Sequence, residues 1–133
     1  MSFGLSSCGY DIRLQDCNGY WDEDREAYFL EPGEFVLGST VEEFQMPPFV
    51  VGIVHDKSTW ARKGLAVQNT VIEPGWRGYL TVELTNHSDQ TLEIRKGDPI
   101  AQVLFHYLDH ETEQPYSGKY QDQEKGPQEA RFE

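Results

Sequence analysis

Gly78-Tyr79-Leu80-Thr81-Val82-Glu83-Leu84-Thr85-Asn86 is the stretch on which the reading of this chain turns. It alternates from Tyr79 to Thr85: Leu80, Val82 and Leu84 point one way, and Tyr79, Thr81, Glu83 and Thr85 the other. A period of two belongs to a half-buried strand, because successive side chains of an extended backbone leave opposite faces. If the aliphatic face packs the core, Glu83 faces either solvent or a subunit interface.

The rest of the chain carries the same kind of signal. Residues 9–14 alternate and run to the turn pair Asn18-Gly19; residues 28–30 lead into Pro32-Gly33, and 34–37 follow. Residues 49–54 form a short apolar run with β-branched members, and 92–94 and 100–105 are two more strands, parted by Lys96-Gly97-Asp98-Pro99. Only residues 58–63 suggest a short helix, with Ser58 as its N-cap. Many short strands between frequent turns predict an all-β sandwich or barrel. No internal repeat is visible. From Gln114 onward the chain is polar, with Gly118, Gly126 and Pro127, and composition alone reads it as disordered.

At 133 residues the chain fits one domain, and 38% hydrophobic with 13% aromatic residues rules out global disorder. No apolar run approaches the roughly 20 residues of a membrane helix. Met1-Ser2-Phe3-Gly4 has neither the basic start nor the apolar stretch of a secretory signal, so a cytoplasmic protein is expected, with Cys8 and Cys17 as free thiols. The formal charge is −12, from 23 acids against 11 Lys and Arg. Such a surface repels nucleic acid and anionic membranes and argues against both as partners. A nucleotide needs local cations, and Lys57, Arg62, Lys63 and Arg77 supply them.

Zinc-dependent deamination requires a His or Cys, a nearby Glu and a Cys-x-x-Cys. Cys8 and Cys17 are nine positions apart. Of His55, His87, His106 and His110, only the last two have a paired spacing, in a segment that a strand and Pro115 keep from being helical. Gly-x-Ser-x-Gly and Walker patterns are missing too. Two blocks stand out. In Asp56-Lys57-Ser58-Thr59-Trp60-Ala61-Arg62-Lys63-Gly64-Leu65, hydroxyls, free backbone N–H groups and cations suit phosphate oxygens, although the same residues make an ordinary capped turn. In Thr70-Val71-Ile72-Glu73-Pro74-Gly75-Trp76-Arg77-Gly78-Tyr79, a Pro-Gly turn presents Trp76, either to stack on a sugar or base or to plug a hairpin.

In this order, the blocks resemble the dCTP deaminase family of the dCTP deaminase/dUTPase superfamily. Lys57-Ser58-Thr59-Trp60-Ala61-Arg62-Lys63-Gly64-Leu65 is similar to its Arg/Lys-Ser-Ser/Thr-x-x-Arg-x-Gly-Leu, and Glu73-Pro74-Gly75-Trp76 to its Asp-Pro-Gly-Trp/Phe. The opening stretch resembles its Gly-x-x-Thr-Leu-Glu-x-x-Asn, and Gly97-Asp98-Pro99-Ile100-Ala101-Gln102 its Gly-x-x-Ile-x-Gln. Residues 115–123 resemble its Pro-Tyr…Lys-Tyr-x-x-Gln, and Gly9-Tyr10-Asp11-Ile12-Arg13 the Gly-x-Asp-Leu-Arg start shared with dUTPases.

The resemblance implies a distorted β-barrel or jelly-roll-like dUTPase fold in a homotrimer, with active sites between subunits. It divides the chain into a nucleotide-handling barrel, 1–113, and a C-terminal tail, 114–133, mobile until nucleotide binds and then closing over the site. It implies deamination of dCTP to dUTP and ammonia without zinc, with Glu83 as general base and Ser58 and Arg62 placing base and water. Lys57, Ser58, Thr59, Lys119 and Gln123 would hold the triphosphate and Trp76 the deoxyribose. Thr70, Glu73, Tyr116 and Tyr120 complete the expected nucleotide site, and magnesium (Mg2+) would be held mainly by phosphates and water.

Three departures accompany the likeness. The helical segment that precedes the first motif in many deaminases is missing from this sequence. Glu73 stands where Asp is usual; in dUTPases that Asp activates water for attack on the α-phosphate, and a longer side chain disfavours the in-line geometry. Residues 68–72 are shorter than the loop that reads the pyrimidine, with Thr70 the remnant of its Thr-Ala pair. The end of the chain lacks the Arg-Gly-x-x-Gly-Phe-Gly motif of a dUTPase, and Glu83 favours deamination. A dUTP diphosphatase, a bifunctional enzyme and a non-catalytic trimeric nucleotide-binding regulator are the alternatives.

Overall fold

The computed structural model describes residues 2–132; Met1 and Glu133, the outer ends of the expected barrel and tail segments, lie outside the described residues. Among the described residues, eleven strands and one helical turn follow one another. They are β1 (Gly4–Leu5), β2 (Tyr10–Cys17), β3 (Tyr20–Asp22), β4 (Ala27–Leu30), β5 (Phe35–Gln45), β6 (Val50–Asp56), α1 (Ser58–Ala61), β7 (Leu65–Val67), β8 (Val71–Ile72), β9 (Arg77–Asn86), β10 (Leu92–Arg95) and β11 (Pro99–Tyr107). The expected all-β class holds. The large sheet runs β7-β9-β5-β2-β11-β6-β8 with β1 beside β2, and β10-β4-β3 form a small second sheet. Every strand pair is antiparallel.

The large sheet curls into a distorted half-barrel. Register shifts between Leu14 and Asp16, Ser39 and Glu43, and Pro99 and Ala101 break the ladder on three adjacent strands. Bulges of this kind bend the strand and increase its twist. The concave side is filled by Ile12, Leu14, Leu84, Ile100 and Val103, all fully buried, and Leu30 and Ile94 carry the core across to the small sheet. On β9 the alternation is as read, with Leu80, Val82 and Leu84 inside.

Asn86 joins the two sheets. Its carboxamide nitrogen donates to the carbonyls of Leu30 (3.0 Å) and Gln90 (2.8 Å), and its side-chain oxygen accepts from Ser88 N–H and Oγ. Asn18-Gly19 is likewise a corner between sheets, because β2 pairs with β5 and β11 while β3 pairs with β4.

Several local expectations are corrected. The N-cap of α1 is Lys57, extended at φ −89° and ψ 128°, with no side-chain capping bond; its carbonyl accepts from Trp60 and Ala61, so Ser58 is already helical. The helix is one turn, with Arg62 as its C-cap, and the turn after it closes at Gly64, whose φ of +94° only glycine adopts without strain. β5 extends well past residue 37, because Ser39 and Thr40 are buried polar residues that hide the alternation. β1, β3, β7 and β8 carry too few residues to show a period. The polar tail is bound to the barrel: Tyr79 N–H donates to Gln123 O, Gly126 N–H to Ser39 Oγ, and Gln128 N–H to Thr81 Oγ1.

Candidate active site

The outward face of β9 carries Thr81, Glu83 and Thr85, and pairing sets Ser39, Leu37 and Phe35 of β5 opposite them. This face forms one wall of a cavity of about 460 Å³. A second wall is Thr70, Glu73 and Trp76, from the stretch that crosses β8 into β9. Tail residues close the remainder: Tyr116, Tyr120 and Gln123, then Gln128 and Glu129.

Glu83 is half-buried, and its Oε1 is inaccessible and accepts no hydrogen bond from any described residue. Burial pushes its carboxyl up from the ordinary glutamate range, against a smaller downward pull from its own backbone N–H. A carboxylate moved toward neutrality in a cavity is suited to taking and returning protons. No lysine or arginine lines the cavity among the described residues, although Glu73 and Glu129 do.

Trp76 serves as both wall and plug. It is 5% exposed, lies 6.0 Å from the Phe44 ring, and donates its indole N–H to Tyr120 O at 2.7 Å. The Pro74-Gly75 turn that presents it also seats the tail, since Tyr116 N–H donates to Pro74 O and Gln121 Nε2 to Gly75 O. Tyr116 Oη then accepts from Tyr120 N–H at 2.9 Å, which folds the tail back over the indole.

The expected site residues therefore fall into two groups. Glu83, Thr70, Glu73, Trp76, Tyr116, Tyr120 and Gln123 share the cavity. Lys57, Ser58, Thr59, Arg62 and Lys119 do not line it. Ser58, Thr59 and Arg62 are exposed around α1, and Lys57 is held 2.7 Å from Asp11 in a largely buried ion pair. Lys119 is exposed, with Nζ 5.6 Å from the centre of the Tyr120 ring. Sequence reasoning missed Phe35, Leu37, Thr81, Gln128, Glu129 and Ala130 on the cavity wall. For Phe35 and Leu37 a signal existed, since they flank the inward Val36 on the strand paired with the glutamate's own.

Residues 19–108 match the family model described as dCTP deaminase-like. A dCTP deaminase of Campylobacter fetus subsp. fetus is 39% identical over 93% of this chain and 78% of its own length. One from Herpetosiphon aurantiacus is 37% identical over 92% of this chain and 79% of its own. Among solved structures, the EIAV dUTPase superposes with a TM-score of 0.64 at 21% identity, covering 84% of this chain and 85% of that one. The dUTPase of phage phi11 of S. aureus, in a structure described as showing coordination of a structural Mg(II) ion, gives 0.64 at 18% identity over 90% and 89%. The fold is thus that of the dUTPases, as expected.

Proposed function

The chain belongs to the dCTP deaminase-like family, and from that membership we propose that it is a dCTP deaminase, hydrolysing dCTP to dUTP and ammonia. The observation that carries this reading is Glu83, a carboxylate set in a nucleoside-sized cavity with an unpartnered buried oxygen and a raised pKa. In the reaction, Glu83 takes a proton from water as the oxygen bonds to C4 of the cytosine ring. The C4=N3 π pair moves to N3 in that step; the C4–N4 bond then breaks, the proton held by Glu83 leaving with the nitrogen as ammonia, while the added hydroxyl's proton passes to N3 as the C4 carbonyl forms. A carboxyl with a pKa nearer neutrality serves both halves better than a solvated one.

Trp76 packs on the deoxyribose, and Thr70 and Glu73 border the nucleoside. The tail, 114–133, closes over the site and offers Tyr116, Tyr120, Gln123 and Lys119. Lys57, Ser58, Thr59, Lys119 and Gln123 hold the triphosphate, and Ser58 and Arg62 help place base and water. Among the described residues, a protomer's own cavity is lined by glutamates and no cation, unsuited alone to a strongly anionic ligand. The cationic block therefore reaches a neighbour's cavity, and the protein works as a homotrimer with shared sites.

Among the described residues no three His, Cys, Asp or Glu side chains gather in a metal-binding group. A magnesium ion would arrive with the nucleotide, held mainly by phosphate oxygens and water, in keeping with its preference for oxygen ligands. Its chemistry would be to offset phosphate charge.

Incubation with magnesium and either dCTP or dUTP, following ammonia and pyrophosphate separately, tests the function. Ammonia from dCTP is expected; binding without either product would leave a regulator instead. Pyrophosphate from dUTP would instead reveal the second activity, which Glu73 in place of the usual Asp disfavours. Light scattering should give three times the 15.3 kDa of one chain.

A further inference from the structure

Leu37 of β5 stands directly opposite Glu83 of β9 in the antiparallel ladder, and both line the cavity. Directly opposed residues project from the same face with Cβ atoms about 4.5–5.5 Å apart. The neighbours on that face, Phe35 and Ser39 on β5 and Thr81 and Thr85 on β9, carry no charge. On the other flank β7 presents Ala66 on this face, while Val67 turns inward with Leu84, and Gln68 beyond them donates its backbone N–H to the Glu83 carbonyl. The titratable groups that face the cavity from other elements are Glu73, from the turn before β9, and Tyr116, Tyr120 and Glu129, from the tail. Within one protomer, where no described lining residue is a cation and none donates to the buried oxygen, loss of water is what separates Glu83 from a solvated glutamate; on the shared-site reading a neighbour's Ser58 and Arg62 would add a donor and a cation. The side chain best placed to remove that water is the aliphatic one across the ladder.

We propose that Leu37 is a positioning residue that shields Glu83 from water across the strand pair and so sets the pH range in which Glu83 works as a base. The upward displacement of the Glu83 carboxyl by burial agrees in direction. The kinetic consequence rests on the deaminase reading; the effect on Glu83 titration does not.

The test uses full-length protein with 13C-labelled glutamate carboxyls, the Glu83 signal being assigned by its loss in Glu83→Gln. Leu37→Asn brings an amide beside the carboxylate and should move the Glu83 midpoint to lower pH than in the wild type. Leu37→Thr, a strand former, should do the same and carries the test if Asn disturbs the sheet. Leu37→Met keeps an apolar side chain and should keep the wild-type curve. In parallel, the acid limb of kcat/KM for dCTP should move to lower pH in the polar variants, with kcat falling several-fold and KM changing less. An unchanged Glu83 midpoint in a folded polar variant overturns the proposal. So does an equal displacement in Glu73→Gln or Glu129→Gln, which would assign the effect to charge. If the wild type releases no ammonia, the deaminase reading fails, while the titration still decides the role of Leu37.

Discussion

Gln123 lies so close against Gly78 that a Cβ added to the glycine would meet the Gln123 backbone nitrogen at 2.6 Å. The two residues form a parallel bridge, and Gln123 Nε2 also donates to Tyr79 O. Gly78 has a φ of +142°, a region that side chains rarely adopt.

Gly78→Ala should therefore both strain β9 and lift the tail. A stability loss of about 1–3 kcal/mol is expected from the backbone alone. Denaturant titration reads that loss, and faster tryptic cleavage after Lys119 or Lys125 reads tail release. Unchanged cleavage would mean the tail does not depend on this contact.

Glu83→Gln should retain nucleotide binding yet lose turnover by at least ~10²-fold, the low end for general acid–base catalysis. Equilibrium binding of dCTP beside initial rates of ammonia release separates the two effects. Near-normal turnover would remove Glu83 from the chemistry.

The same carboxyl makes a signed prediction about stability. Burial raises its pKa above the ordinary glutamate value, so between the two the native state binds more protons than the unfolded chain. Stability from this group is then fully present below about 4.5 and is lost as pH rises through the folded value. Glu83→Gln should be more stable than wild type at neutral pH, with the gain shrinking toward acid pH. Thermal melts at pH 4 and pH 7.5 compare them, and a gain that grew toward acid pH would contradict the burial argument.

Cys17 is buried, and its thiol is pushed up to about 11, chiefly by desolvation, whereas Cys8 is exposed. Thiolate is the reactive form. Iodoacetamide at neutral pH should add one label, at Cys8, and a second only after unfolding, as counted by intact mass. Early labelling of Cys17 would show that the corner at Asn18-Gly19 opens readily.

Asp11 and Lys57 form an ion pair with side chains 8% and 15% exposed. Asp11→Ala strands a lysine in a largely buried place, which costs on the order of 3 kcal/mol. Asp11→Ala with Lys57→Met should recover part of that loss in a double-mutant cycle. Full additivity would mean the pair does not couple.

Legibility followed the kind of force at work. The β9 alternation was readable because burial of Leu80, Val82 and Leu84 repeats with the strand's own period, and the cavity residues nearest it were readable only through the resemblance to the family's motifs. β5 beyond residue 37 was not, because Thr40 is buried through a bond from its Oγ1 to Glu42 O and one from Leu80 N–H, and periodicity is blind to such bonds. The tail was hidden for the same reason: backbone groups and amides hold it, so its composition looks unstructured. The partnership of Asp11 with Lys57 joins residues 46 positions apart, and no local pattern announces it.

The amide seam at Asn86 has a consequence for how this molecule comes apart. The strand that bears Glu83 ends in a side chain clasping Leu30 and Gln90, and a three-stranded sheet this small has little independent stability. The small sheet and the barrel should consequently melt in a single transition, and hydrogen exchange at the two ends of β9 should report the same global opening.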